Sequence, residues 1–252
     1  MRYSDRVPEE LTKDGHYLGR PADFDDKIVT RRVKLVKDYP GFCGKNYELL
    51  DIGCGNGAST LLLSAEMKNC LGIDIESVHQ PEFELYKQTH HITNCEFRLH
   101  NLEETPLEKQ YDRIISFEVI EHLNDDKSVS KYYDTLKQGG LIAITVPNKW
   151  WVFETHGANL PLLPWNRVPF FSWLPTPIHE RWAKARIYTK SRIVQLMRNA
   201  GFEILDVKYV TAPMDVLKDG KLKRFLIKNV FNGDTTSNPC LSTSIMVICK
   251  KA

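Results

Sequence analysis

The chain of 252 residues is 42% hydrophobic, which is enough to bury the core of one large α/β domain. Its 34 basic and 32 acidic residues are mixed along the chain and leave a formal charge of +2, so composition gives no strong signal for nucleic-acid binding. No uninterrupted apolar stretch reaches the roughly 20 residues of a membrane-spanning helix. We therefore expect a single domain over residues 1–252 with no membrane span.

The first residues and the cysteines indicate the cellular compartment. Residues 1–6 are polar and charged, and they lack the apolar core of a signal peptide. The six cysteines are scattered without a C-x-x-C pair, which is typical of buried thiols in a reducing environment. The sequence therefore predicts a cytoplasmic protein.

The N-terminal part, residues 1–45, is predicted to be an arm followed by one helix. Asp26 precedes a segment in which Val29, Val33 and Val36 recur at helical spacing among basic residues, which predicts a helix over 26–39. We expect this arm and helix to lie over a ligand-binding site.

From Tyr47 onwards, short apolar runs alternate with amphipathic segments. This alternation is typical of repeated strand–helix units, which build a mostly parallel sheet with helices on both faces. Helices are predicted over 189–200, behind a Thr189 cap, and around 216–230. Seven strands are predicted, over 47–52, 70–75, 95–99, 113–117, 141–146, 202–210 and 242–249.

A glycine-rich turn follows the first predicted strand, with Gly53, Gly55 and Gly57 directly before a helix. Glycines allow a sharp turn and let the backbone approach a ligand at a helix N-terminus. Asp74 ends the second strand about 20 residues later, where a carboxylate can accept hydrogen bonds from both ribose hydroxyls of an adenosine.

The spacing of the turn distinguishes between nucleotide cofactors. Dinucleotide sites normally space their glycines G-x-G-x-x-G, whereas here the spacing is G-x-G-x-G and Asp51 stands just before it. An anion at that position repels a phosphate and attracts an ammonium group.

Four segments of the chain resemble the class I S-adenosylmethionine-dependent methyltransferases, and the resemblance runs from about Glu48 to Lys250. Residues 50–57 resemble the first motif of that family and residues 72–74 resemble its ribose-binding motif. Residues 111–123 resemble the fourth-strand motif of the "type 11" branch, which includes quinone O-methyltransferases. Residues 139–148 resemble the fifth-strand motif.

The resemblance implies a Rossmann-like, doubly wound sheet of seven strands and a site for S-adenosylmethionine, whose product is S-adenosylhomocysteine. Asn101 and Leu102 would flank the adenine, although the family more often has Asp in place of Asn101. Glu118 would lie at the edge of the cofactor. The remaining implied contacts are with the methionine portion, the ribose and the adenine, from Asp51, Gly53, Cys54, Gly55, Asn56, Asp74 and Ile75.

Three roles are open for the acidic and histidine residues after the fourth strand. His122, with Glu121 beside it, is a candidate general base for an acceptor hydroxyl or amine. Alternatively, Glu118, Glu121 and His122 hold a divalent cation together with His156 or His179. This E-x-x-E-H pattern resembles metal-dependent RNA-end 2′-O-methyltransferases and some quinone O-methyltransferases. In the third alternative these residues are structural and proximity drives the transfer.

An aromatic and proline-rich insertion, residues 148–188, follows the fifth strand and contains all five tryptophans. Its prolines predict ordered but irregular structure without a regular helix. It is either a packed core or dimer interface, or a cap that forms an apolar acceptor pocket, with shallow membrane contact if the acceptor is a lipid. We predict methylation of an O or N atom of a small, apolar or aromatic acceptor. The alternatives are an RNA 2′-O-methyltransferase and a non-catalytic sensor or scaffold.

Overall fold

A computed structural model of the protein describes residues 12–13, 16–17, 22–154, 156, 169–214, 217–218 and 220–252. The described part contains a small two-stranded sheet and a main sheet of eight strands. In the main sheet the strand order is β5-β4-β3-β6-β7-β10-β8-β9. The strands are β1 (Thr12–Lys13), β2 (His16–Tyr17), β3 (Gly44–Ile52), β4 (Met67–Asp74), β5 (Cys95–Leu99), β6 (Tyr111–Phe117), β7 (Leu136–Pro147), β8 (Phe202–Thr211), β9 (Thr235–Thr236) and β10 (Ser242–Lys251).

The main sheet is mostly parallel, as the sequence predicts. Strands β3 to β7 pair in parallel, and β10 runs antiparallel between β7 and β8. The seven predicted strands are all present. The eighth is a two-residue edge strand, β9, which pairs with Tyr209 and Val210 of β8 and is too short to produce a sequence pattern.

Helices cover both faces of this sheet. They are α1 (Lys27–Lys37), α2 (Ala58–Leu63), α3 (Gln80–Thr89), α4 (Ser130–Thr135), α5 (Thr176–Trp182), α6 (Lys190–Asn199) and α7 (Lys221–Asn229). Leu49 of β3 packs with α1, α2 and α3 on one face, while its neighbour Leu50 packs with α4 and α6 on the other. Alternate strand residues point to opposite faces, so consecutive apolar residues are needed to fill both cores.

Two predicted helices match closely and two predictions need correction. The helix expected over 26–39 is α1, at Lys27–Lys37. The helix expected over 189–200 is α6, whose Thr189 side chain caps the Arg192 N–H. The helix expected around 216–230 is shorter, at Lys221–Asn229, and its expected start at Val216 lies outside the described residues. The insertion contains the helix α5, contrary to the prediction of irregular structure. Pro175 directly precedes α5 and Pro177 lies in its first turn, where a missing N–H costs no intrahelical hydrogen bond.

A buried arginine holds helix α1 at the carboxyl end of β8. The Arg31 guanidinium donates hydrogen bonds to the carbonyl oxygens of Thr211, Ala212 and Phe231. The next residue, Arg32, lies near the carboxyl ends of β6 and β7, where its guanidinium forms a salt bridge with the Glu118 carboxylate. Residues 1–11 of the predicted arm lie outside the described residues.

Candidate active site

The glycine turn after β3 has the backbone geometry that its sequence predicts. Gly53, Gly55 and Gly57 all have positive φ angles, of 72°, 54° and 77°. A Cβ atom on Gly53 would lie 2.4 Å from Val119 Cγ2, and one on Gly57 would lie 2.0 Å from Phe83 Cδ2. These two positions therefore require glycine both for conformation and for space.

Asp74, at the end of β4, is bound to this turn. Its carboxylate accepts hydrogen bonds from the Gly55 N–H at 2.8 Å and from the Glu76 N–H at 3.1 Å. Burial raises the pKa of Asp74 above its usual value, although both N–H donors act to lower it. Asp74 lies in the wall of a cleft at the carboxyl ends of the strands, where α/β sheets bind their ligands.

Asp51 is buried beneath the turn and does not line the cleft. Its Oδ2 atom accepts a hydrogen bond of 2.5 Å from the Thr60 hydroxyl. The pKa of Asp51 is raised to about 7, chiefly by burial; the Thr60 hydrogen bond acts to lower it, and the negative charge of Asp74 acts to raise it. A buried carboxylate with a pKa near neutrality is stabilised in its ionised form by a nearby cationic ligand.

The cleft brings most of the predicted site residues together. The predicted residues in its walls are Gly53, Asp74, Ile75, Asn101, Leu102, Glu118 and His122. Two others are turned away: Cys54 packs against Gly72, and the Asn56 side chain binds the Ala22 carbonyl and the Ala58 N–H. The sequence prediction missed Glu103, Ser128, Lys131 and Tyr132, which also line the cleft.

Glu118 is held in an unusual backbone conformation at the start of the segment after β6. Its φ angle is 57°, and its N–H donates to the Thr145 carbonyl at 2.9 Å. A non-glycine residue in this region is strained, and such strain is common at functional sites. The Glu118 carboxylate lies 3.0 Å from the Arg32 guanidinium, so α1 supplies its counter-charge.

Glu121, His122 and His156 form a cluster at the edge of the cleft. One ligand atom from each lies within 4.8 Å of the other two. The His122 and His156 rings meet edge to face with their centroids 5.1 Å apart, and His156 Nε2 lies 3.6 Å from Glu121 Oε1. The segment after β6 thus meets the insertion here, although the two are more than 30 residues apart in sequence.

The cluster fits a divalent cation. Both carboxylate oxygens of Glu121 are buried without a hydrogen bond. Burial raises the pKa of Glu121 well above its usual value, and the charge of Glu118 adds to this effect. Burial and the neighbouring His122 lower the pKa of His156 well below its usual value, which keeps its imidazole in the neutral form that binds metals. One carboxylate and two imidazoles are a donor set for a metal such as manganese, zinc or iron.

The other two metal candidates have different partners. Glu118 pairs with Arg32, whereas His179 Nε2 lies 2.6 Å from Glu154 Oε2 in a fully buried pair. The same Glu154 carboxylate accepts a hydrogen bond of 3.2 Å from the backbone N–H of His156. The Glu154–His179 pair therefore joins two parts of the insertion and supports His156 at the cluster.

The insertion is attached to the rest of the protein at both of its ends, and one end reaches the site. Trp151 is buried with Phe231 beside β8, while Trp150 and Trp173 are partly exposed. At the other end, the Arg186 guanidinium donates to the carbonyl oxygens of Ile120 and Leu123, on either side of the cluster. Trp165 lies outside the described residues, and the role of the insertion as an acceptor cap stays a prediction.

Comparison with curated proteins gives methyltransferases. The chain is 33% identical over 175 residues to a ubiquinone biosynthesis O-methyltransferase of Acinetobacter baylyi, and the match covers 62% of the chain and 71% of that protein. It is 30% identical over 146 residues to the enzyme of the same name in Pelagibacter ubique, with coverages of 56% and 55%. The chain thus spans little more than half of the second relative.

Solved structures share the fold. The chain has a TM-score of 0.56 and 14% identity with magnesium protoporphyrin IX methyltransferase from Synechocystis, solved with bound S-adenosylhomocysteine, over 91% of the chain and 84% of that protein. For geranyl diphosphate C-methyltransferase from Streptomyces coelicolor, the TM-score is 0.59 at 14% identity, over 88% and 77% of the two chains. Residues 11–207 match the methyltransferase domain family. The chain therefore belongs to this family, and S-adenosylmethionine is its methyl donor.

Proposed function

We propose that this methyltransferase acts on a hydroxyl oxygen of a small, apolar or aromatic acceptor, beside a divalent cation held by Glu121, His122 and His156. The observation that carries the proposal is the position of this cluster. His122 belongs both to the cluster and to the wall of the cleft, so an acceptor bound there would lie next to the cofactor. The names of the relatives, which are O-methyltransferases of ubiquinone biosynthesis, support the choice of oxygen.

The residues of the cleft have separate tasks in this proposal. Gly53 and Asp74 hold the cofactor, with the carboxylate of Asp74 accepting from the ribose hydroxyls. Ile75 and Leu102 form the apolar walls for the adenine. The charge of Asp51, buried beneath the turn, attracts the ammonium group of the methionine portion.

In the proposed transfer, an acceptor oxygen attacks the sulfonium methyl group in line with the departing sulfur. The bond from oxygen to the methyl carbon forms as the carbon–sulfur bond breaks, and S-adenosylhomocysteine leaves. A bound cation would lower the pKa of the acceptor hydroxyl. With the cation bound, the proton of that hydroxyl would leave to water, because the one free lone pair of the neutral His122 imidazole would be on the cation. Without a cation, His122 would take the proton itself, because it faces the cleft.

The test is methyl transfer from labelled S-adenosylmethionine to an aromatic 1,2-diol, with phenol and aniline for comparison. We expect turnover of the diol, loss of turnover with a chelator, and recovery with manganese or magnesium. Glu121→Gln should abolish the recovery, whereas Glu66→Gln, at an exposed carboxylate, should leave it intact.

Three results would contradict this proposal in different ways. Turnover that is indifferent to the chelator would remove the cation. Preferred methylation of an RNA end would favour the RNA alternative. Binding of S-adenosylmethionine without turnover of any acceptor would favour a sensor or scaffold.

The cytoplasmic location stays a prediction. Among the described residues, no helix has the length and hydropathy of a membrane span.

A further inference from the structure

The helix α7 presents large apolar side chains to solvent. Leu222 is 66% exposed and Phe225 is 61% exposed, and no residue of the helix is buried. Single exposed apolar residues are common, but Leu222 and Phe225 are three residues apart in one helix, so their side chains are adjacent on its surface and form a patch. No residue of α7 lines the cleft or belongs to the Glu121 cluster.

Basic residues lie beside this patch. The segment 217–230 contains five basic residues and one acidic residue, Asp219, so it carries a net charge of +4. The whole chain carries only +2, so the remaining residues together carry −2. Successive helical residues are about 100° apart, which places Lys221, Arg224 and Lys228 on one side of α7, directly next to Phe225. The positive charge is thus concentrated where the apolar side chains are exposed.

The inner side of α7 connects the patch to the insertion. Leu226 and Ile227 pack against a buried cluster that contains Trp151, Met214 and Phe231. Trp151 belongs to the insertion that also delivers His156 to the Glu121 cluster. The insertion has exposed apolar side chains of its own, at Trp150, Phe170, Trp173, Leu174 and Ile178.

We infer that α7 docks this protein on the surface of an anionic lipid bilayer, with Leu222 and Phe225 inserted among the acyl chains and the basic residues against the headgroups. An amphipathic helix with a basic polar side and Leu or Phe on its other side binds membrane surfaces in this way. Charge complementarity selects anionic lipid, because each basic residue near such a surface strengthens partition roughly fivefold. A docked α7 places the insertion beside the lipid phase, from which an apolar acceptor can enter. The inference does not depend on the metal or on the atom that is methylated.

The experiment is co-sedimentation of the full chain with vesicles of phosphatidylcholine alone and of phosphatidylcholine mixed with phosphatidylglycerol. We expect binding to the mixed vesicles, and weak binding to the neutral ones. Leu222→Ser with Phe225→Ser should lower the partition coefficient roughly tenfold or more. Lys221→Glu with Lys228→Glu should lower it by at least about 25-fold.

Matched variants on another surface are the controls. Leu85 of α3 is also 66% exposed, and Lys45 and Lys68 are exposed basic residues far from α7 in sequence. Leu85→Ser and the pair Lys45→Glu with Lys68→Glu should leave vesicle binding unchanged. Affinity for S-adenosylmethionine and the thermal midpoint should be the same for all variants, which separates a lost surface from a lost fold.

Three outcomes would overturn the inference. Undiminished vesicle binding by the Leu222 and Phe225 variant would show that another surface binds lipid. Equal binding to neutral and anionic vesicles would remove the role of the basic residues. Binding of single-stranded RNA, but not of vesicles, that is lost in the Lys221 and Lys228 variant would assign the face to nucleic acid.

Discussion

Replacing Asp51 with Asn should stabilise the protein without ligand and weaken its hold on S-adenosylmethionine. Burial raises the pKa of Asp51 from 3.8 to about 7, so ionising this carboxyl group in the folded protein is costly. An unfolded chain binds fewer protons than the folded one between these two pKa values, so stability falls as the pH rises from about 4 to about 7. Below the lower value the effect vanishes, and above the upper value it is constant.

The magnitude follows from the size of the shift. A pKa unit is worth about 1.4 kcal/mol, so the shift from 3.8 to about 7 corresponds to about 4 kcal/mol of lost stability at pH 8. Asn cannot ionise, and its carbonyl oxygen can still accept the Thr60 hydroxyl. The advantage of Asp51→Asn should therefore grow by about 4 kcal/mol between pH 4 and pH 8.

The assay is urea denaturation of both proteins over this pH range, together with calorimetric titration of S-adenosylmethionine at pH 8. We expect the affinity of the variant to fall at least about tenfold, because the ammonium group loses its counter-charge. Asp112→Asn is the control of opposite sign. Burial acts to raise the pKa of Asp112, but the hydrogen bond from the Glu48 N–H and the bond from Lys137 outweigh it and lower the pKa.

If the stability advantage of Asp51→Asn shrinks as the pH rises, the pKa of Asp51 is not raised in the folded protein. Unchanged affinity for S-adenosylmethionine would separately refute the electrostatic role of Asp51. The Asp112→Asn variant should instead lose stability relative to the wild type as the pH rises through the usual range of a carboxyl pKa.

Two further substitutions test the turn and the insertion. Gly53→Ala should cost at least about 2 kcal/mol and abolish cofactor binding because of the contact with Val119, whereas Gly139→Ala, with φ of 73° and nothing within 4 Å, should cost about 1 kcal/mol and leave binding intact. Denaturation and titration measure both, and equal costs would contradict the steric argument. Glu154→Ala should cost about 3 kcal/mol and weaken manganese binding by releasing His156, while Glu154→Gln, which keeps an acceptor, should weaken it less. If manganese affinity is the same in both variants and in the wild type, the Glu154 carboxylate does not position His156.

The local part of the site could be predicted from sequence. The glycine turn and Asp74 lie within about 20 residues of each other, and their chemistry depends on one strand–turn–helix unit and its neighbour. The comparisons confirm the fold class and the cofactor that these motifs predict. The individual residue roles stay predictions.

The contacts between distant segments could not be predicted. The sequence leaves His156 and His179 as alternative ligands for the cation, because nothing in it shows that Glu154 pairs with His179 and leaves His156 to Glu121. The salt bridge between Arg32 and Glu118 also could not be predicted. The helical pattern shows that α1 has a buried side, but the partner of each arginine depends on where the helix lies on the sheet.

We propose that the cleft between the glycine turn and Asn101 holds the methyl donor. The most direct measurement is a crystal structure of the protein with S-adenosylhomocysteine. We predict that the ribose hydroxyls contact the Asp74 carboxylate, that the adenine lies between Ile75 and Leu102, and that the sulfur faces His122. A nucleoside bound elsewhere, such as in the groove beside Cys95 and Tyr111, would contradict this placement of the cofactor.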